Sequence, residues 1–439
     1  MSEERKDSVE IKVLSSQLNE GKEAVAIKLS TTEEDSEQNT KNRQLLNHFL
    51  NQVIDAENLL VLAGSGTSLT FNPPKAESSD NENEKSTEGE QFEKYIAPSM
   101  GDLWSACKKL SRFNDVKKLV KYQEIVGAYE DHEGKKKDVE DIELLLSLCD
   151  TYQSLEQLKE CEQEIINTFI SEAKKTILDE TNFIHKVPKD SWSAHNHFIR
   201  TLGRRSPKQQ RLKLFTTNYD LAFEQAASNT GMIVIDGFEF TSPANFNPAW
   251  YQYDVVNRNQ NNSYLSNLFH LYKLHGSVDW NNKNGLTQKI NIENGLSADP
   301  VFIYPSRNKY EVSYESPYID MISAFLEAVK QPKTALICIG FGFNDNHLNN
   351  AITMALRTNP ELMLLVVTLS LFDEASSFNT DIKGKLSSAI NAGDSRVMMI
   401  DTDFAIFSQE LLPNRHIQSP EEKLMESFTK ILEGGSNER

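Results

Sequence analysis

The stretch Leu59–Ser68 reads LLVLAGSGTS, five apolar residues followed at once by small residues. A continuous apolar run of this kind is typical of a parallel strand that is buried on both faces. Small residues at the end of such a strand let backbone N–H groups approach the pyrophosphate of a dinucleotide. A simple tight turn would explain the same residues, so this stretch alone leaves both interpretations open.

Apolar runs of the same character follow in the second half of the chain, at 212–216, 232–235, 271–274, 301–304, 335–339, 363–368 and 397–400. Helical patterns separate several of them, at 219–228, 317–330 and 344–357. Strands that alternate with helices in this way form a mostly parallel sheet covered on both faces. The sequence therefore predicts a Rossmann-like, doubly wound α/β fold.

The remaining segments predict how the chain is organised around this sheet. Residues 1–37 hold a β-hairpin extension, with alternating runs at 9–14 and 24–30 around Gly21, and it docks either on this chain's own core or on a neighbouring subunit. The nucleotide-binding domain comprises 38–71, with a helix over 41–57, and 206–404. The other predicted segments are a disordered acidic loop (72–99), an inserted helical subdomain (100–205) and a C-terminal tail (405–439).

Composition restricts the classes of partner. Lys and Arg number 46 against 64 Asp and Glu, a formal net charge of −18, which disfavours direct binding to nucleic acid. The N-terminal residues lack the apolar core of a signal peptide, and no apolar run reaches the roughly eighteen residues of a membrane span. These features predict a soluble cytoplasmic protein without a membrane partner.

Cysteine spacing argues against a structural metal site. Cys107, Cys149, Cys161 and Cys338 are widely separated, and none forms a C-x-x-C pair or has a His at a suitable spacing. A structural zinc ion takes four such ligands. The sequence predicts reduced thiols and no bound metal, hence no zinc ribbon.

Polar residues follow a second predicted strand in the segment Thr217-Asn218-Tyr219-Asp220. Open α/β sheets bind ligands beyond the carboxyl ends of their strands, where an Asn can bind ribose hydroxyls or a water, and an Asp can stabilise developing positive charge. Capping of the following helix explains Asn218 and Asp220 equally well. Both interpretations stay open on these residues alone.

Two further strand ends carry chemistry. His275 stands between a predicted strand and Gly276, where a side chain with a pKa near neutrality suits a general base, although a lone histidine is more often structural. The segment Ile339-Gly340-Phe341-Gly342-Phe343-Asn344-Asp345 repeats the glycine-bearing strand end of Leu59–Ser68. Four such strand ends are harder to explain as unrelated turns than any one of them. The other eight histidines lack this setting, which favours structural or surface roles for them.

The segments GSGTS, TTNYD, LHG and GFGFND resemble, in order and context, the sirtuin motifs GAGxS, TQNxD, HG and a glycine-rich strand end. The resemblance implies that the residues 64–68 line the NAD⁺ phosphates, that Asn218 and Asp220 flank the nicotinamide-side ribose, and that His275 is the catalytic base. The NAD⁺-contacting positions that it implies are Gly64, Ser65, Gly66, Thr67, Ser68, Thr217, Gly340, Phe341 and Gly342, the last three beside the adenosine half.

Two departures from the family pattern change the expected reaction. The sequence lacks the four-cysteine zinc ribbon of sirtuin deacylases, and it also lacks the stretch Gly-Ile-Pro-Asp-Phe-Arg that follows GAGxS in them. The chain is therefore more similar to zinc-free sirtuin-like proteins of bacterial anti-phage defence, which hydrolyse NAD⁺. That similarity implies an abortive-infection effector that forms homo-oligomers and works with a HerA-type ATPase.

Three functional hypotheses follow. In the first, the chain is an NAD⁺ glycohydrolase in which Asn218 positions water or ribose, Asp220 supports it, and His275 takes a proton through a ribose hydroxyl. In the second, it is an NAD-dependent deacylase or ADP-ribosyltransferase that needs a protein substrate. In the third, it is a sensor that binds NAD⁺ or ADP-ribose without turnover.

Overall fold

The structure, a computed structural model, describes residues 9–18, 22–29, 36–73, 95–130, 136–153, 159–206, 209–258, 263–292, 300–302, 316–373 and 378–413. A nine-stranded sheet lies at its centre. In chain order the strands are β1 (Glu10–Ser15), β2 (Val25–Lys28), β3 (Asn58–Ala63), β4 (Lys213–Thr216), β5 (Ile233–Ile235), β6 (Leu268–Lys273), β7 (Thr334–Ile339), β8 (Met363–Thr368) and β9 (Val397–Asp401).

The spatial order of the strands is β2-β1-β9-β8-β7-β3-β4-β6-β5. All pairs from β9 to β5 are parallel, whereas β1 pairs antiparallel with both β9 and β2. This mostly parallel sheet confirms the predicted doubly wound α/β fold. Chain order turns back beside β3, between β7 and β4, which is the kind of position where such sheets bind their ligands.

Register brings four strand ends together. Ala63 at the end of β3 is aligned with Ile339 of β7 and with Thr216 of β4, and Thr216 is aligned with Lys273 of β6. The segments that follow these strands therefore leave the sheet at the same edge. These are the four segments that the sequence singled out.

Helices cover both faces of the sheet and build the region between β3 and β4. They are Glu37–Asp55, Gly66–Leu69, Met100–Cys107, Phe113–Leu119, Tyr122–Val126, Ile142–Gln153, Glu160–Thr181, Ser193–Gly203, Ala222–Thr230, Tyr318–Ala328, Asn346–Thr358, Thr380–Asn391 and Phe404–Ile406. Short 3₁₀ turns occupy Ile184–Lys186, Lys189–Trp192 and Pro248–Gln252, and a π-helical turn follows at Phe407–Leu411. Among the helices of the described ranges, none combines the length and apolarity that crossing a membrane requires.

Alternation along the strands divides the buried side chains into two cores. Val61 and Leu214 pack on one face with Phe49 of the first helix, whereas Leu62 and Phe215 pack on the other. A third core lies within the helices between Met100 and Thr181. The last helix of the predicted insertion, Ser193–Gly203, packs instead on the sheet, because its apolar stripe of Phe198, Ile199 and Leu202 belongs to the first core.

One strand assignment from the sequence is wrong. Residues predicted at 301–304 as part of the main sheet form the short strand Pro300–Phe302 in a separate antiparallel sheet, paired with Gly276–Lys283, and Tyr304 lies outside the described residues. That sheet continues to Leu286–Lys289 and Ala244–Asn245. Asn284 and Gly285 join its central hairpin with φ values of 55° and 79°, the left-handed conformations that a tight two-residue turn requires.

The first and last described segments both join the main domain. The N-terminal hairpin extends this chain's own sheet, since Val13 of β1 pairs with Ile400 of β9, which answers the question that the sequence left open. Phe404, the last residue of the predicted nucleotide-binding domain, and Phe407, in the predicted C-terminal tail, are buried in the first core. The described ranges leave out residues 74–94 and 414–439. On either side of residues 74–94 the chain is joined by Asn72, whose Oδ1 accepts from the amides of Ile96 and Ala97.

Candidate active site at the carboxyl edge of the sheet

Two glycine-bearing turns pack directly on each other at this edge. The amide of Gly64 donates to the carbonyl of Ile339 at 3.0 Å, and the amide of Gly66 donates to the carbonyl of Gly340 at 3.0 Å. A Cβ atom on Gly64 would lie 2.5 Å from the Gly340 carbonyl oxygen, and one on Gly340 would lie 2.6 Å from the amide of Thr67. Glycine is therefore needed at these positions for the close approach of the two backbones.

Asn218 binds the first of these turns and does not cap the helix that follows it. Its Nδ2 atom lies 3.1 Å from the carbonyl of Gly64, 3.2 Å from Oγ1 of Thr67 and 3.0 Å from Oγ of Ser68. Because a carbonyl can only accept, the amide nitrogen must face the turn. Oδ1 is then directed away from it, and in the described part of the chain Oδ1 has no hydrogen bond. An amide oxygen in this setting is suited to accept from a ribose hydroxyl or a water.

Asp220 makes two contacts, one to the helix that follows it and one to the segment after β3. Oδ1 accepts from the amide of Ala222 at 2.9 Å, where the helix Ala222–Thr230 begins, so the carboxylate does satisfy a helix N-terminus. Oδ2 accepts from Oγ of Ser68 at 2.7 Å. Asp220 and Ser68 are both buried. Hydrogen-bonded polar side chains run from Asn218 through Ser68 to Asp220, and this chain of side chains joins the segments that follow β3 and β4.

His275 is paired with a carboxylate that the sequence analysis did not select. Its Nε2 atom lies 3.2 Å from Oδ2 of Asp345, and both residues are 5 % exposed. Oδ1 of Asp345 caps the helix Asn346–Thr358 by accepting from the amides of His347 at 2.8 Å and Leu348 at 3.3 Å. Since a carboxylate can only accept, Nε2 carries the hydrogen and Nδ1 is the basic atom.

A signal for Asp345 was present in the sequence. An Asp that follows a glycine-bearing strand end and precedes a helix stands at the same sheet edge as His275. The helix cap accounts for only one of its two carboxylate oxygens. The partner of the second oxygen is His275, which is 70 positions away in the chain, so the local sequence around Asp345 does not reveal it.

The helical insertion reaches the site through Tyr219. The phenol hydroxyl donates to Oε1 of Glu143 at 2.7 Å, and Tyr219 is a member of the insertion's own core, together with Val278. The residue lies between Asn218 and Asp220 in the chain. The backbone that carries the two polar side chains is thus anchored on the sheet at one end and on the insertion through Tyr219.

The other predicted NAD⁺-contacting residues surround this arrangement. Ser65 is exposed, Thr217 and Gly342 are half-buried, and the amide of Thr217 donates to the carbonyl of Ala63 at 3.1 Å. Phe341 is buried, with its ring 4.9 Å from that of Phe343. Asn218 and His275 share no hydrogen bond within the described part of the chain, so they stand as two separate groups at one sheet edge.

Two other buried histidines differ in their chemistry from His275. Burial lowers the pKa of His195 to about 3 and that of His270 to about 4, and neither ring has a hydrogen-bond partner among the residues that the structure describes. The His195 ring stacks on Phe71 at 4.3 Å in an aromatic cluster. Both rings are therefore neutral near pH 7 and lack the carboxylate that orients His275.

The cysteines lie in different parts of the molecule. Cys107 and Cys149 are buried in the insertion, where burial raises the pKa of the Cys107 thiol to about 12, whereas Cys338 is buried in β7 and Cys161 is exposed. Over the residues that the structure covers, no group of three or more His, Cys, Asp or Glu side chains is arranged to hold a metal ion.

Comparison with protein families finds a match to part of this chain. Residues 212–391 match the family model of a SIR2-like domain, which is in general a family of NAD-dependent enzymes. No curated protein matches the chain. The matched range contains Asn218, His275 and Asp345, whereas the glycine turn of residues 64–68 lies outside it and is brought to it by the fold. The chain thus carries a sirtuin-like region, which indicates an NAD-related activity.

Proposed function

We propose that this protein is an NAD⁺ glycohydrolase that splits NAD⁺ and water into nicotinamide and ADP-ribose. The observation that carries the proposal is the convergence of two polar groups at one sheet edge, the Asn218–Ser68–Asp220 chain and the His275–Asp345 pair. Both lie beside the packed glycine turns, where a doubly wound sheet receives the phosphates of a dinucleotide. The match to a SIR2-like domain supports NAD⁺ as the ligand.

His275 is suited to act as the general base. Asp345, held by two backbone amides, fixes the imidazole through Nε2, and Nδ1 is then free of a proton and able to accept one. Positive charge develops on the ribose as neutral nicotinamide leaves. A base that withdraws a proton from a ribose hydroxyl stabilises that charge, and the nearby Asp220 carboxylate supports it electrostatically.

Asn218 is suited to position the reacting groups. Its three contacts to residues 64–68 hold the amide in one orientation, so that Oδ1 is presented without rearrangement to a ribose hydroxyl or a water. Water is the proposed acceptor because the sequence lacks the zinc ribbon that accompanies the peptide groove of sirtuin deacylases. The bond from C1′ to nicotinamide breaks, its electron pair leaves with neutral nicotinamide, and a bond from C1′ to the water oxygen forms. A proton of the water restores the ribose hydroxyl, and the proton that His275 took is released to solvent.

As a wider role, we propose a cytoplasmic effector of anti-phage defence that depletes NAD⁺ when activated, in a homo-oligomer and with a HerA-type ATPase as partner. An NAD⁺ hydrolase that is always active would kill its own cell, which argues for partner-dependent control. The similarity of the sequence motifs to defence proteins of this type supports the role. Its test is NAD⁺ loss in infected cells that carry the wild-type chain compared with the His275→Ala variant.

The reaction is tested with purified protein and NAD⁺, first alone and then with cell lysate, by following nicotinamide and ADP-ribose. Asn218→Ala and His275→Ala are each expected to lower the rate about 100- to 10,000-fold, the range in which positioned acid–base groups contribute. His347→Ala is the matched control, because this histidine is exposed and its side chain lies outside the His275–Asp345 pair.

The alternatives give different results in the same assay. Nicotinamide release that requires an added protein, with ADP-ribose or an acyl group transferred to or from it, would establish a transferase or deacylase. Tight NAD⁺ binding without release, in lysate as well as alone, would establish a sensor. Full activity in either Asn218→Ala or His275→Ala would refute the assigned roles.

A further inference from the structure

A buried lysine lies beneath the segment that carries Asn218 and Asp220. Lys273, the last residue of β6, is 3 % exposed, and its Nζ atom donates to the carbonyl of Asp220 and, at 3.3 Å, to the carbonyl of Tyr219. Its third partner is Oε1 of Glu224 at 3.2 Å. The three hydrogens of the ammonium are thus directed at two backbone carbonyls and one carboxylate.

These two carbonyls belong to irregular backbone. Residues 217–221 connect β4 to the helix Ala222–Thr230 without regular secondary structure, so neither a sheet nor a helix fixes their peptide planes. The carbonyl of Tyr219 also accepts from the amide of Val278 at 3.0 Å. For the carbonyl of Asp220, Lys273 is the partner that the structure provides. Loss of the ammonium would leave a polar backbone group unpaired in a buried place.

The conformation of this backbone decides where the two polar side chains point. Asn218 reaches the carbonyl of Gly64, and Asp220 reaches Ser68, only because the intervening peptides are oriented as they are. A shift of about 1 Å in a positioning group can cost on the order of 100-fold in rate. We propose that Lys273 is a positioning residue for NAD⁺ cleavage, which fixes the Asn218–Asp220 backbone from below. This inference rests on the proposed function.

A purely electrostatic role for Lys273 makes a different prediction. If the lysine serves only to neutralise the carboxylate of Glu224, removing both charges together restores activity. If it positions the carbonyls, removing both charges eliminates the unpaired charge of Glu224 but still leaves the segment 217–221 without its donor. The double variant Lys273→Met/Glu224→Gln therefore separates the two roles, and it also escapes the unfolding that an unpaired Glu224 could cause in Lys273→Met alone.

The experiment measures kcat and KM for nicotinamide release, thermal stability, and hydrogen exchange of a peptide that spans 217–222. The variants are Lys273→Met, Glu224→Gln, and the two combined. The matched control is Arg211→Met, which removes a buried cation paired with Asp254 at 2.9 Å just before β4 begins. That control is expected to keep kcat and the exchange of 217–222 within about twofold of wild type, since Arg211 lies at the opposite end of β4 from the segment.

Glu224→Gln is expected to keep kcat within about threefold of wild type, because Lys273 still donates to both carbonyls. The double variant is expected to be more stable than Lys273→Met, because Glu224 no longer carries an unpaired charge. Relative to Glu224→Gln, its kcat should be about 10- to 100-fold lower, its KM changed less than kcat, and its exchange at 217–222 faster. Recovery of kcat in the double variant to within twofold of Glu224→Gln would overturn the positioning role, as would equal exchange at 217–222 in these two variants. Should the wild-type chain release no nicotinamide under any condition, the proposed function fails, and the exchange comparison still decides what Lys273 does.

Discussion

The two polar groups of the candidate site are held in different ways. The Asn218 half is a network, because one amide contacts three partners in residues 64–68 and Ser68 passes the connection on to Asp220. In the described part of the chain, the His275 side chain has one hydrogen-bond partner, Oδ2 of Asp345. The Asn218 half spans β3 and β4, and the His275 half spans β6 and the segment after β7.

This difference matches what each half has to do. A group that positions a ribose gains from several restraints, since its geometry must stay constant through the reaction. A general base must gain and lose a proton, and a ring fixed at one nitrogen keeps the other available for that exchange. The glycine turns of the two halves pack on each other at Gly66 and Gly340. Substitutions at this junction and in each half can therefore test whether the halves are independent.

The largest effect is expected from Gly340→Ala, which acts on both halves at once. Gly340 has a φ of +57°, and an added Cβ would lie 2.6 Å from the amide of Thr67 and 2.8 Å from the carbonyl carbon of Gly66. All of these are backbone atoms that cannot turn away. We expect a loss of about 3 kcal/mol in the free energy of unfolding, measured by denaturant titration, and no detectable nicotinamide release.

Gly231→Ala is the matched control, because this glycine has a similar φ of +65° and no atom within 4 Å of an added Cβ. It should lose only about 1 kcal/mol, the cost of the left-handed backbone alone, and stay active. Equal losses of stability in the two variants would mean that the close packing of the turns contributes nothing, and the halves would then have no common junction.

An intermediate effect is expected from Asp345→Asn, which acts on the His275 half alone. The substitution keeps an oxygen for the cap at the amide of His347 and removes the carboxylate that orients Nε2 of His275. We expect kcat to fall at least about 100-fold, with the free energy of unfolding changed by less than about 1 kcal/mol. Steady-state kinetics and denaturant titration on one preparation measure both quantities.

Asp345→Ala provides the contrast, because it removes the helix cap as well. Its kcat should equal that of Asp345→Asn, and its stability should be lower by about 1 kcal/mol. An Asp345→Asn variant that keeps wild-type kcat would show that His275 needs no carboxylate, and the distinction between a networked half and a paired half would lose its functional meaning.

The sequence predicted the sheet and the strand ends well because both depend on local patterns. Continuous apolar runs located β3, β7 and β8 nearly to the residue, and the small or polar residues after them marked the edge where ligands bind. The small antiparallel sheet was missed although Asn284-Gly285 is a strong signal for a tight hairpin. Its strands are rich in polar residues, so a search for apolar runs passed over them.

The partners of the site residues could not be predicted, because they are distant in the sequence. Asn218 contacts residues about 150 positions away, and His275 contacts a residue 70 positions away. The local sequence accounts for Asp345 and Asp220 as residues that bind the first amides of a helix. The partner of the other carboxylate oxygen, His275 for Asp345 and Ser68 for Asp220, is visible only in the folded chain. Lys273 gave no signal at all, because a lysine at the end of a buried strand is normally expected to reach solvent.

The smallest effect is expected from Tyr219→Phe, which tests whether the Asn218 half also depends on the helical insertion. The hydroxyl of Tyr219 donates to the buried carboxylate of Glu143, and the substitution removes that bond while keeping the ring in the insertion's core. We expect a loss of about 1–2 kcal/mol in the free energy of unfolding and a decrease of a few-fold in kcat.

Tyr122→Phe is the matched control, since its hydroxyl donates to the carbonyls of Val139 and Asp141 within the insertion. It should lower stability by a similar amount and leave kcat unchanged. If both variants change kcat equally, the insertion acts on the site only through overall stability. If Tyr219→Phe alone lowers kcat, the Asn218 half is coupled to the insertion through this hydroxyl.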